Sequence, residues 1–110
     1  MRNTFITWER GVLRSVTTVR TETSRLVRGR AVRKVSTVVD SIERVSRYTK
    51  RLLDNAGVLA DLERKYVKAH IETHLPSNTI TVQAVGADGY HYAWWTQLDG
   101  EKHWCKHPLL

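Results

Sequence analysis

Residues 12–53, VLRSVTTVRTETSRLVRGRAVRKVSTVVDSIERVSRYTKRLL, decide how the rest of this chain is read. Aliphatic residues recur throughout the stretch, and arginines fill many of the gaps between them. With the residues before it, its first half predicts a helix over residues 4–28. Phe5, Val12, Val16, Val19 and Leu26 fall at spacings of three, four and seven, which puts them on one side of a helical wheel. Arg10, Arg14, Arg25 and Arg28 fall near the opposite side. Against this stands Val16-Thr17-Thr18-Val19, a β-branched run of poor helix propensity. The alternative for residues 4–28 is a β-hairpin turning at Arg10-Gly11.

Near Gly29 the stripe jumps. Val32, Val35, Val38, Val39, Ile42, Val45, Leu52 and Leu53 would point roughly 100° away from the first stripe on one straight helix. A continuous heptad drifts slowly, so the jump predicts a break at Arg28-Gly29-Arg30. Two helices in a hairpin would then face their stripes together, with Arg33, Arg44, Arg47 and Arg51 outside. Asn55-Ala56-Gly57 reads as a helix stop, because Asn and Gly tolerate the left-handed conformation of a C-cap. A third helix is expected over residues 58–74, with Leu59, Leu62, Tyr66 and Ala69 inward and Pro76 ending it.

From Asn78 the period changes to two. Ile80, Val82 and Ala84 alternate with Thr81 and Gln83, which predicts a half-buried strand over residues 79–85. Gly86-Ala87-Asp88-Gly89 is a turn, residues 90–97 are rich in strand-forming aromatics, and Asp99-Gly100 turns the chain into residues 102–107. The expected fold is therefore α+β: an N-terminal basic helical hairpin plus a third helix, then a C-terminal three-stranded antiparallel β-meander. Residues 1–57 would form a basic amphipathic arm, and residues 58–110 a helix plus sheet. Such narrow valine stripes also suit a coiled-coil seam between chains, so a homo-oligomer is expected.

The charge balance narrows the function classes. The 110 residues carry a formal net charge of +7, and residues 1–39 alone hold nine Lys/Arg against two acids. A charge this local points to nucleic acid or an acidic protein surface. Cys105 is the lone cysteine, so no disulfide framework exists. No apolar run approaches about 18 residues, and the N-terminus lacks the apolar core of a signal peptide. A cytoplasmic protein that does not engage a membrane is the expectation.

The candidate phosphate-binding set is Arg10, Arg14, Arg20, Arg25, Arg28, Arg30, Arg33 and Lys34. Guanidinium suits bidentate contact with phosphate, and the scarcity of nearby acids leaves these groups repelling one another until something neutralises them. Tyr90, Tyr92, Trp94, Trp95 and Trp104 are candidate aromatic contacts for unstacked bases or for a protein. As ordinary residues they would fill a small core. Tyr90, Tyr92 and Trp94 would share one strand face, and His91 and Trp95 the other.

His70 and His74 share a face of the third expected helix, and His103, Cys105 and His107 share a face of the last strand. The spacing matches no standard zinc motif, so neither metal nor other cofactor is assigned. His91, Tyr92, His103 and Lys106 are suitable types for ribonuclease chemistry. No catalytic signature accompanies them, and no catalytic residue is assigned. The sequence reading is a small non-enzymatic nucleic-acid-binding protein with arginines of a helical face on the phosphates. Its alternative is a protein-binding module, either an inhibitor that docks on an acidic, nucleic-acid-like surface or a structural subunit of a larger assembly.

Overall fold

Two Arg-Gly dipeptides set the architecture. Arg10 and Gly11 have φ of 47° and 89°, and Arg28 and Gly29 have φ of 51° and 75°. Positive φ at both centres of a two-residue loop makes a type I′ turn, whose twist matches that of paired antiparallel strands. The computed structural model describes residues 1–97 in full and residues 102–107 as backbone. It begins with β1 (Arg2–Glu9), β2 (Val12–Val27) and β3 (Arg30–Arg44), joined by those two turns. Two short helices follow, α1 (Arg47–Asn55) and α2 (Val58–Lys65). The chain then returns to the sheet as β4 (Tyr66–His74), β5 (Thr79–Gly86), β6 (His91–Gln97) and β7 (Lys102–His107).

All seven strands lie in one antiparallel sheet, in the order β3-β2-β1-β4-β5-β6-β7. This overturns the expected helical hairpin: residues 4–28 and 32–44 are strands, and no coiled coil is present among the described residues. The expected third helix stops at Lys65, and its second half is β4. There Ala69 and Ile71 point into the core while Lys68, His70, Glu72 and His74 alternate outward. The three C-terminal strands are three of the seven strands of one sheet, and no separate meander stands beside a helical arm.

Physical chemistry explains the first correction. Residues 12–44 contain eight valines, five threonines and one isoleucine among 33 residues. That density of β-branched side chains costs rotamer freedom in a helix and packs well on a pleated surface. Each valine spacing that fits a helix also fits a strand exposed on both faces, where nothing imposes a period of two.

The helices cover one face of the sheet. Leu53, Val58 and Leu62 are fully buried against Ile6, Trp8, Ile71, Ile80, Val82, Tyr92 and Trp94 from that face. Each such side chain contributes about 1.5–3 kcal/mol by leaving water. Ser46 caps α1, its hydroxyl accepting from the Thr49 amide at 3.2 Å, and Gly57 takes φ of 76° between the helices. That residue marks the stop the sequence placed there.

The sheet is uneven in width. β1 ends opposite Val19, whereas β2 and β3 run on as a pair to their tip. Every residue from 20 to 40 is exposed. The pair therefore forms a two-stranded arm, and the molecule measures 54 × 33 × 25 Å with a radius of gyration of 17.0 Å. A compact domain of this length would have a radius near 13 Å.

Candidate nucleic-acid interface

The arm gathers most of the net charge. Arg20, Arg25, Arg28, Arg30, Arg33 and Lys34 stand on it with two acids, Glu22 and, at its base, Asp40. Strand pairing sorts them by face. Val27 is opposite Arg30, Arg25 opposite Val32, and Thr23 opposite Lys34, so Arg25, Arg30 and Lys34 share one face. From residue 20 to residue 37 that face contains no acid, and its cations surround Val27 and Val32. Arg28 sits in the turn at the tip.

The other face is partly neutralised. Glu22 accepts from Arg33 at 2.6 Å and lies 3.1 Å from Arg20. Both ion pairs are exposed and so add little stability, but they fix the direction of two guanidinium groups. At the arm's base Arg2 reaches Asp40 at 3.1 Å, and the Arg20 amide donates to the Met1 carbonyl at 2.8 Å. These contacts tie the ribbon to the sheet where its third strand begins.

Arg10 and Arg14 lie apart from this group. Arg10 occupies the β1–β2 turn, its amide donating to the Val67 carbonyl at 3.0 Å. Arg14 is opposite Arg44 near the other end of β2, on the order of 35 Å of extended chain from Arg25. The eight cations named from sequence therefore divide into six on the arm and two at the far end. None belongs to a helical face.

The aromatic candidates divide as well. Tyr92 and Trp94 point into the core and are each 6% exposed, whereas Trp95 on the opposite face is 39% exposed. Tyr66 makes an edge contact with Tyr92 and a tilted one with Trp94, both at 5.2 Å between centroids. The Tyr92 hydroxyl donates to Asp88 Oδ2 at 2.7 Å, and this bond together with burial pushes its pKa up to about 12. Burial, with Asp61 and Asp88 nearby, raises that of Tyr66 also. Tyr90 is exposed just before β6. Trp104 falls among side chains outside the described residues.

The uncovered face carries a second arrangement. Phe5 stacks on His70 at 4.3 Å, His70 Nε2 is 3.4 Å from Glu72, and His74 Nε2 is 3.3 Å from the Thr81 hydroxyl. His70 and His74 do share a face, but of β4. Among the described residues no cluster of three His, Cys, Asp or Glu could hold a metal ion. The side chains of His103, Cys105, Lys106 and His107 lie outside the described residues. His91 is exposed on the face opposite buried Tyr92, so the two do not converge on one substrate.

Two cations escaped the sequence reading as site residues, Arg44 and Lys50. They line a recess of about 300 Å³ with Trp8, Leu13, Arg14, Val45, Leu59 and Glu63. Only the strand register brings Arg44 to Arg14. No helix among the described residues is long and apolar enough to cross a membrane. No family model, curated protein or solved structure matches this chain.

Proposed function

We propose that this protein binds nucleic acid through the β2–β3 arm, with Arg25, Arg28, Arg30 and Lys34 on the phosphates. The observation that carries the reading is the cationic face, free of acids from residue 20 to residue 37, of a fully exposed two-stranded ribbon. A two-stranded ribbon is one of the two protein elements that the major groove of duplex DNA admits. Arginine matches phosphate oxygens with two parallel hydrogen bonds, and clustered cations gain further by releasing condensed counterions. Val27 and Val32 supply apolar contact between the charged groups. The reading assigns no catalytic residue, metal or cofactor, and it sets the protein in the cytoplasm with Cys105 reduced.

Fluorescence anisotropy with a labelled duplex, a single strand and an RNA tests this. Tight binding to at least one ligand at low salt, falling steeply as salt rises, is the expected result. Absence of binding to all three at low salt rejects it.

A protein partner is the second reading, favoured by the outer edge of β3. Val35, Val39 and Ile42 are 45%, 55% and 62% exposed on this long edge strand. Unpaired backbone groups beside exposed aliphatics invite strand addition from another chain. A complex that survives high salt would select this reading over phosphate binding.

A further inference from the structure

A bulge exchanges an attractive pair for a repulsive one. From the tip, β2 and β3 pair in strict register from Val27–Arg30 to Thr18–Val39. Continued unchanged, that register would set Arg14 opposite Glu43. Asp40 is instead left unpaired, Thr17 meets Ser41, and Arg14 meets Arg44. Like charges directly opposite one another on a sheet destabilise it. Bulges commonly re-aim side chains next to binding sites.

The two arginines border the recess of about 300 Å³ between the sheet end and the two helices. Lys50 of α1 stands on the same rim. The Arg14 guanidinium donates to the Leu13 carbonyl at 3.0 Å, so it is held at this end of the sheet. Among the described residues no carboxylate lies within ion-pair distance of Arg14, Arg44 or Lys50. Trp8, Leu13, Val45 and Leu59 give the recess an apolar lining, and Glu63 supplies an acceptor. Its volume is at the lower end for small-molecule sites, which are mostly apolar with a few converging polar groups.

We propose that this recess binds a small organic phosphate of mononucleotide size, its phosphate held by Arg14, Arg44 and Lys50 and its organic body against Trp8, Leu13, Val45 and Leu59. A doubly charged group neutralises the opposed arginines, and two planar guanidinium groups match its oxygens. The site is independent of the arm, and either can fail without the other.

The test uses the full chain with adenosine monophosphate, adenosine and inorganic phosphate as probes, read by calorimetry and thermal unfolding. Adenosine monophosphate should bind saturably and raise the melting temperature, inorganic phosphate should bind more weakly, and adenosine should do neither. Arg44→Gln should melt higher than the parent without ligand, because it relieves Arg14. It should bind adenosine monophosphate roughly tenfold more weakly, the loss of one charge-assisted hydrogen bond. A variant with Arg25, Arg28, Arg30 and Lys34 changed to Gln should keep the parent's affinity for this probe. The proposal is overturned if the parent binds the nucleotide no better than adenosine. It is also overturned if Arg44→Gln binds like the parent, or if the arm variant loses the affinity.

Discussion

Asp88 holds the turn between β5 and β6 by accepting two hydrogen bonds, from the Tyr90 amide at 3.0 Å and the Tyr92 hydroxyl at 2.7 Å. Since the folded pKa of Tyr92 stands at about 12 against an ordinary 10.0, the folded state holds that proton more tightly. Its contribution is complete below pH 10 and is lost as pH rises through about 12. Urea unfolding over that window should show the parent losing its stability advantage over Tyr92→Phe; a constant gap would remove this role. Gly86 bears on the same turn. A Cβ there would stand 2.5 Å from Asp88 Oδ1 and 2.9 Å from the Tyr92 ring. Both neighbours are fixed by their mutual bond, so Gly86→Ala should cost about 1–3 kcal/mol. Denaturant unfolding checks this, and an unchanged midpoint would show that the turn yields.

The elements differ in how openly the sequence declared them, and the difference follows burial. In β5, Ile80, Val82 and Ala84 are buried and alternate with more exposed Thr81 and Gln83, so period two was visible. The arm has no buried face, hence no alternation to read, and its valines fell by chance at helical spacings. The usable signals were Arg10-Gly11 and Arg28-Gly29, with the β-branched run between them. Hairpin preference favours Asn or Asp before Gly, and arginine in that position left the Arg10-Gly11 turn as an alternative only and made Arg28-Gly29 read as a break between helices. β4 was lost because Leu59, Leu62, Tyr66 and Ala69 keep helical spacing across a helix–strand junction. The cationic residues of the arm were legible from composition, whereas their division between faces and the Arg14–Arg44 opposition depend on register. An arm with every residue exposed contributes little to the core. Replacing residues 20–37 by a two-residue turn, which keeps Val19 opposite Val38, should therefore leave a cooperative thermal transition within a few degrees of the parent's. Loss of that transition would mean the arm is required for folding.

At the scale of the whole molecule, the chain divides its surface between a helix-covered core and a projecting cationic ribbon. A two-stranded ribbon is marginal alone in water, and its root is held by the Arg2–Asp40 ion pair and by β1. The arm holds six of the chain's Lys/Arg against Glu22 and Asp40, so the field of the molecule is concentrated at one end, as suits steering toward a polyanion. The opposite end carries the recess with Arg14, Arg44 and Lys50. Contact between the arm's cations and phosphates is the proposed role of the arm's end of the molecule. The most direct measurement compares duplex binding by the parent and by the variant with Arg25, Arg28, Arg30 and Lys34 changed to Gln, each across a salt series. The variant should bind more weakly at every salt concentration. Its plot of log affinity against log salt should be shallower by roughly three to four units, about 0.9 for each phosphate contact removed. Equal affinities and equal slopes for the two proteins would contradict it.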